Sequence, residues 1–204
     1  MNTMDLWRYE REAARAGRSP VCGCDEAGAG PLAGRVYAAA VILPEGAYLP
    51  GLDDSKKLTE KKREALFPLI REQALAWSVA FVEAAEIDAV DILNARMKAM
   101  QMAMDGLEPG AEYALIDGNR DHGSRYAITT PHECVVKGDS LSASIAAASV
   151  LAKVSRDRYM AEMAALYPQY SFERHKGYGT ALHYERLRQY GPCPIHRRTF
   201  LKNL

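Results

Sequence analysis

This chain of 204 residues has no long apolar run, few cysteines and no excess of either charge, and each of these features argues against a class of protein. Its apolar runs stay well below the roughly 18 residues that a membrane-spanning helix needs, so we expect no membrane contact. It has four cysteines, a C-x-C pair and two single residues, which match neither a zinc knuckle nor a disulfide framework. It has no excess of either charge, with 26 Lys and Arg against 26 Asp and Glu, which argues against a strongly basic nucleic-acid coat.

The distribution of charge is nevertheless uneven. Residues 171–204 hold seven Lys or Arg against two acids, a net charge of +5. A basic segment beside an acidic body suits a polyanion held over a metal site, although a solvated helical face explains it equally well. The N-terminal 18 residues lack the apolar core of a secretory signal. We expect a cytoplasmic monomer with a catalytic domain at 1–170 and a basic helical segment at 171–204 packed on it.

The chain is organised around a glycine-rich segment at 22–34. Two adjacent carboxylates, Asp25 and Glu26, stand where an apolar run meets it. Because side chains alternate between the faces of a strand, we expect both to serve one site only if the backbone turns or bulges there, as glycine permits. A polar turn ending a strand would explain the pair alone, but acids, bases or aromatics also adjoin glycine near 117, 138 and 177.

The hydrophobic pattern predicts an α/β fold. Short apolar runs predict strands at 21–25, 35–43, 76–82, 113–116 and 135–136. Apolar spacings of three and four, together with capping residues, predict helices at 4–16, 59–73, 87–104, 140–166 and 180–189. The first two strands would form an antiparallel pair with the glycine segment at its bend. Together these elements predict a mixed β-sheet flanked by helices, with a short C-terminal helical extension.

Four acids form a candidate metal site. They lie at strand ends or just before a helix, and they are Asp25, Glu26, Asp117 and Asp139. Hard cations such as Mg²⁺ take oxygen ligands, and two metals roughly 4 Å apart support phosphodiester hydrolysis. Asp157 is a rival for the fourth position, but it lies roughly 27 Å from Asp139 along a continuous helix, and ion pairing with its arginine neighbours explains it.

Other residues are candidate nucleic-acid contacts. Tyr178 stands between two glycines, where its ring could stack on a sugar or base, although such a tyrosine is more often simply packed. Four basic residues are weaker candidates for phosphate contacts: Lys56, Lys57, Arg197 and Arg198. His175, His183 and His196 lack metal-ligand spacing and are explained equally well as structural residues.

Taken together, these motifs resemble the ribonuclease HII family, from about residue 9 to residue 200. Seven segments resemble that family's blocks in its order: DEAG at 25–28, DDSKKL at 53–58, DGN at 117–119, KGDS at 137–140, AASVLAKV at 147–154, HKGYGT at 175–180 and IHR at 195–197. The resemblance implies a ribonuclease H-like fold and an endonuclease that cuts RNA in RNA·DNA duplexes. It also implies cleavage on the 5′ side of single ribonucleotides in DNA, leaving 3′-hydroxyl and 5′-phosphate ends.

The same resemblance implies the roles of particular residues. The four acids would hold Mg²⁺ or Mn²⁺, and Tyr178 would pack on the sugar beside the junction. The loop that reads the ribose 2′-hydroxyl corresponds to Gly28, Ala29 and Gly30. That loop usually has Arg between its glycines, so Ala29 is a departure, and we expect retained activity with altered substrate affinity.

Two alternatives stay open. Another ribonuclease H-like nuclease, such as a junction resolvase, would cut an all-DNA substrate, which the segment around Tyr178 argues against. A binding module without catalysis would tolerate loss of an acid, whereas all four are present. The short segment before Asp25 leaves no room for the extra N-terminal domain of ribonuclease HIII, and we expect no clamp-binding tail after Phe200.

Overall fold

The computed structural model describes residues 5–52 and 58–202. Its strands are β1 (Val21–Ala27), β2 (Val36–Ile42), β3 (Ala76–Val82), β4 (Tyr113–Asp117) and β5 (His132–Val135). Its α-helices are α1 (Arg8–Arg15), α2 (Glu60–Gln73), α3 (Ala84–Val90), α4 (Ile92–Asp105), α5 (Ala143–Leu166), α6 (Phe172–His175) and α7 (Ala181–Tyr190). The predicted mixed sheet flanked by helices is confirmed.

The five strands form one sheet in the order β3-β2-β1-β4-β5. β1 is antiparallel to β2 and parallel to β4, and β4 is parallel to β5. The carboxyl ends of the three parallel strands therefore meet at one edge. Cys24 pairs with Ile116, so the next residues, Asp25 and Asp117, end up side by side. That edge is where open α/β sheets place their ligands.

Helices cover both faces of the sheet because β2 alternates apolar residues to both sides. Ala38 and Ala40 pack in a core with α4, while Ala39 and Val41 pack in a second core with α2 and α5. α5 approaches β1 very closely. A Cβ on Gly23 would lie 2.1 Å from the backbone nitrogen of Ile145, so only glycine fits between the strand and the first turn of this helix.

Local sequence signals account for most element boundaries, with three exceptions. The strand predicted at 135–136 lies earlier, at His132–Val135. Thr59 caps α2 as predicted, accepting a hydrogen bond from the backbone N–H of Lys62. The single helix predicted over 87–104 is wrong, because Asp91 adopts a left-handed φ of 71° and divides it into α3 and α4. The long helix starts at Ala143 instead of Ser140, with Ser142 as its N-cap. Residues Gly138–Ser140 form a separate 3-10 turn.

Residues after α5 share an apolar cluster with the sheet and with the glycine-rich loop. Tyr170, Phe172 and Leu187 pack there with Leu32 and Met160. The division of the chain at residue 170 stays a prediction. Across the described ranges, no helix combines the length and the apolar character needed to cross a membrane.

Candidate active site

Asp25 and Glu26 lie within β1 and point to opposite faces of the sheet. The pairing with β2 is regular through both positions, Asp25 with Ala39 and Glu26 with Ala38, so the predicted turn or bulge is absent. Both nevertheless lie at the carboxyl end of the strand. The backbone N–H of Glu26 donates to Oδ1 of Asp25 at 2.7 Å, which fixes the Asp25 carboxylate against its own strand.

Each carboxylate has a basic residue on its own face. Glu26 forms an ion pair with Arg96 on α4, with 2.6 Å between Nη2 and Oε1. On the other face, Asp25 accepts a hydrogen bond from Ser149 and is attracted electrostatically by Lys153, both on α5. The Lys153 ammonium in turn donates to the Ser149 hydroxyl. The two acids are therefore held by two different helices.

Asp117 and Asp139 meet at the end of β4. The backbone N–H of Asp139 donates to Oδ1 of Asp117 at 3.3 Å, across the 3-10 turn that precedes α5. Gly138 makes this approach possible, because a Cβ there would lie 2.5 Å from Cδ1 of Ile145. Asp139 is buried, with 1% of its surface exposed. Asp117 also raises the pKa of both Asp25 and Glu26, so the four acids occupy one region.

The electrostatics of this region favour a cation. Burial, followed by repulsion from Glu26, raises the pKa of Asp25 to about 7. Burial also raises the pKa of Glu26, against the opposing attraction of Arg96. Clustered carboxylates with raised pKa values repel one another and are poorly hydrated. Four hard oxygen donors in this state fit a divalent metal ion such as Mg²⁺ or Mn²⁺.

The glycine-rich loop runs beside the acids. Gly28 has φ of 92°, and a Cβ there would lie 2.1 Å from Nε of Arg156, so the position excludes a side chain. Gly30 is exposed, and its Cβ would lie 3.9 Å from the ring of Tyr178. Tyr178 is 50% exposed, which leaves the ring accessible next to the loop, as a stacking role requires.

The environment of Arg197 differs from the predicted contact with a substrate phosphate. Its side chain is fully buried, which leaves it no exposed surface for a substrate phosphate. Its guanidinium donates instead to four carbonyl oxygens of the loop, those of Gly28 (2.6 Å), Ala29 (2.9 Å), Pro31 (2.8 Å) and Gly34 (3.0 Å). Arg197 is therefore a positioning residue that fixes the backbone of the glycine-rich loop.

A basic depression adjoins the acids, and it was not predicted from the sequence. It is lined by Glu26, Ala27, Gly28, Arg63, Lys153, Arg156, Asp157, Lys176 and Tyr178. Spacings of four and three along α5 place Ser149, Lys153 and Arg156 on one helical face, a signal that was available in the sequence. Asp157 lies in this depression and pairs with Arg63 at 3.5 Å, not with its arginine neighbours in sequence.

Three buried histidines support Tyr178. Nδ1 of His183 lies 2.9 Å from the carbonyl oxygen of Tyr178, and its Nε2 lies 3.0 Å from Nε2 of His196. Burial lowers the pKa of His183 and His196 to about 4, so both are neutral at pH 7. His175 accepts from the N–H of Gly177. In the structure these histidines are positioning groups.

The remaining basic candidates are Lys56, Lys57 and Arg198. Lys56 and Lys57 lie outside the described residues. Arg198 is exposed, and its backbone N–H donates to Asp88 at 2.7 Å.

Comparison with known proteins places the chain in a family. The sequence model of the family described as Ribonuclease HII matches residues 22–203. Ribonuclease HII of Geobacillus kaustophilus (strain HTA426) is 54% identical over 196 residues, which cover 96% of this chain and 74% of that protein. Ribonuclease HII of Bordetella avium (strain 197N) is 53% identical over 180 residues, 88% of this chain and 87% of that protein.

Solved structures share the fold. Ribonuclease H2 from Pyrococcus horikoshii OT3 superposes with a TM-score of 0.72 at 26% identity, covering 88% of this chain and 92% of that chain. The RNase HII from Archaeoglobus fulgidus, solved in complex with PCNA, gives a TM-score of 0.74 at 23% identity, over 90% and 95% of the two chains. The protein thus belongs to the ribonuclease HII family and is a ribonuclease H, a hydrolase that cuts RNA in RNA·DNA hybrids.

Proposed function

We propose that this ribonuclease H also cuts duplex DNA on the 5′ side of a single embedded ribonucleotide, leaving 3′-hydroxyl and 5′-phosphate ends. One observation carries the proposal: an accessible tyrosine and a rigidly held glycine loop lie beside four clustered carboxylates. Recognition of one ribonucleotide needs a contact to the 2′-hydroxyl, because that group alone distinguishes RNA from DNA at a given position. A preformed loop beside the acids supplies such a contact without a long hybrid.

The four acids are proposed to hold two divalent ions, Mg²⁺ or Mn²⁺. Asp25 and Asp117 stand side by side at the ends of β1 and β4, with Glu26 and Asp139 flanking them. Buried carboxylates that repel one another bind protons or metal ions strongly. When bound, such ions activate the attacking water and stabilise the leaving oxygen of an in-line displacement.

The protein's own residues are proposed to bind and orient the substrate. Arg63, Lys153 and Lys176 place positive charge in the depression beside Glu26, which suits the phosphate backbone of the strand to be cut. Tyr178 would stack on the sugar next to the ribonucleotide. Arg197 holds the carbonyl oxygens of the glycine loop inward, so that the loop keeps one conformation when substrate arrives.

The partner of this site is therefore nucleic acid, either an RNA·DNA hybrid or a DNA duplex with an embedded ribonucleotide. A monomeric state and a cytoplasmic location stay predictions from the sequence. The affinity for substrate is proposed to depend on Ala29, where a guanidinium is missing from the loop.

The test is cleavage of three labelled duplexes in Mg²⁺ or Mn²⁺: DNA with one ribonucleotide, the same duplex without it, and a continuous hybrid. We expect the first to be cut once, 5′ to the ribonucleotide, and the all-DNA duplex to stay intact. Asp117→Asn should abolish the cut. Asp105→Asn, at the exposed end of α4, is the matched control and should cut normally.

Each other outcome has a defined meaning. Cleavage of the all-DNA duplex would favour a resolvase-type nuclease. Cleavage of the hybrid but not of the single ribonucleotide would reject the proposed substrate while leaving the ribonuclease H activity in place. Binding of hybrid without any cleavage in either metal would favour a binding module.

A further inference from the structure

A second cluster of metal-binding side chains lies away from the four acids. It consists of Asp121, in the loop between β4 and β5, and of His132 and Cys134 on β5. One carboxylate oxygen, one imidazole nitrogen and the thiol sulfur all lie within 4.8 Å of one another. Bonds of roughly 2.0–2.3 Å place the ligand atoms of a tetrahedral Zn²⁺ roughly 3.3–3.8 Å apart, so side-chain rotations that draw these three atoms slightly closer would complete such a geometry.

The fold brings these three residues together for simple reasons. His132 and Cys134 are two apart on β5, so their side chains leave the same face of the strand. The loop after Asp117 folds back on itself, with the Ile128 N–H donating to the Asp121 carbonyl at 2.7 Å. This turn carries the Asp121 carboxylate to the side chain of His132.

The hydrogen bonds of His132 leave one nitrogen available to a cation. Its Nδ1 lies 2.7 Å from the carbonyl oxygen of Thr130, and a carbonyl only accepts, so Nδ1 carries the proton. In the neutral ring the lone pair of Nε2 then points at Oδ2 of Asp121, 3.2 Å away. Two facing lone pairs repel unless a proton or a metal ion lies between them.

We propose that Asp121, His132 and Cys134 bind one Zn²⁺, with water as the fourth ligand. Imidazole and thiolate donors favour Zn²⁺ over Mg²⁺, which takes oxygen ligands, so this site and the carboxylate site select different metals. The carbonyl oxygen of Thr130 orients the ligating ring, as outer partners of zinc-bound histidines commonly do. His122, whose Nδ1 lies 2.6 Å from Oδ1 of Asp121, holds the carboxylate in place.

Binding at this site would fasten the loop that follows Asp117 to β5. The thiol must lose its proton when Zn²⁺ binds, and burial together with the charge of Asp121 raises the pKa of Cys134. Affinity for Zn²⁺ therefore increases with pH. The Zn²⁺ site is independent of the proposed cleavage at single ribonucleotides.

The experiment titrates Co²⁺, a spectroscopic substitute for Zn²⁺, into the full chain in excess Mg²⁺, which is added to fill the proposed carboxylate site. We expect one equivalent to give a thiolate-to-cobalt charge-transfer band and Zn²⁺ to displace it. Cys134→Ser should remove the band, and His132→Ala should weaken Zn²⁺ binding at least about tenfold. Glu133→Gln is the matched control, since it removes a carboxylate from the same strand but from the opposite face.

Asp121→Asn serves as a second variant, because this loop residue is partly exposed and its replacement should not affect folding. It should weaken Zn²⁺ binding at least about tenfold. The proposal is overturned if the wild type gives no charge-transfer band, or if the band persists in Cys134→Ser. Either result would leave the cluster held by the contact between His132 and Asp121 alone.

Discussion

The guanidinium of Arg197 donates a hydrogen bond of 2.9 Å to the carbonyl oxygen of Ala29, although 168 positions separate the two residues. This contact is one of four that the same side chain makes to loop carbonyls. The planar guanidinium presents five N–H donors in a fixed fork. The conformation of the glycine-rich loop therefore depends on a residue near the C-terminus.

Arg197→Lys is expected to loosen the loop while keeping the charge. An ammonium on a single stem does not reach four carbonyl oxygens, and each one left buried without a donor costs about 1–3 kcal/mol. We expect the free energy of unfolding, measured by urea denaturation, to fall by about 2 kcal/mol or more. Arg198→Lys, at the exposed neighbouring position, should change it by less than about 0.5 kcal/mol.

The same Arg197→Lys variant should cut a single-ribonucleotide substrate less efficiently. If Arg197 acts only on stability, kcat/KM measured well below the unfolding temperature would equal that of the wild type. A drop of about tenfold or more, equivalent to about 1.4 kcal/mol, is expected if it positions the loop.

Asp117→Asn should separate activity from stability. The asparagine Oδ1 still accepts the hydrogen bond from the Asp139 N–H, but one charge that repels Asp25 and Glu26 is gone. We expect the rate of cleavage to fall at least about a hundredfold. Unfolding in metal-free buffer at pH 8 should show equal or greater stability than the wild type. A clear loss of stability would mean that Asp117 has a structural role.

The metal-free protein should lose stability as pH rises. The pKa of Asp25 is about 7 in the folded chain and 3.8 in its ordinary state, so the folded state holds a proton that the unfolded state releases. The contribution of Asp25 to the free energy of unfolding is therefore fully present below about pH 4 and is lost as the pH rises through about 7. The loss from this group is at most about 4 kcal/mol.

Unfolding in EDTA and in Mg²⁺ at several pH values measures this effect. Mg²⁺ should stabilise the wild type more at pH 8 than at pH 5, because protons compete for the same oxygens. Asp25→Asn should reduce the pH dependence in EDTA. An unchanged slope in this variant would assign the titration to another group.

Ala29→Arg should restore a phosphate contact that the loop lacks. Ala29 is partly exposed, and a guanidinium there would face the nucleic acid. We expect KM for a single-ribonucleotide duplex to fall about 3- to 10-fold, with a steeper dependence on salt. Ala29→Gln controls for side-chain length without charge. Unchanged binding and cleavage in Ala29→Arg would show that the loop acts through its backbone alone.

Local patterns in the sequence were sufficient for much of the fold and for selecting four candidate acids that the structure brings to one edge of the sheet. Short apolar runs mark β1, β2 and β4 closely because a strand buried on both faces must be largely apolar. Thr59 was recognisable as a cap because its side chain bonds within its own turn. Glycines adjacent to Asp117 and Asp139, and within three residues of Asp25, indicated these acids as candidates.

Longer-range relationships were decided only by the tertiary structure. Asp25 and Glu26 share a region without a bulge, because β4 and the 3-10 turn before α5 bring Asp117 and Asp139 to the same edge. Asp91 divides a helix whose apolar spacing continues through it, since its side chain caps the second half. Arg197 resembled an exposed phosphate contact, as most arginines near a basic C-terminus do.

One physical cause separates the features that the sequence predicted from those that only the tertiary structure decided. Periodicity, caps and turns are set by neighbours within a few residues, so the sequence by itself determined most strands and helices and indicated the four candidate acids. Whether a charged side chain meets solvent or buried carbonyl oxygens depends on groups far away in the chain. For Arg197, Lys153 and the Asp121, His132 and Cys134 cluster, only the packing of the whole sheet with its helices and loops determined the partners.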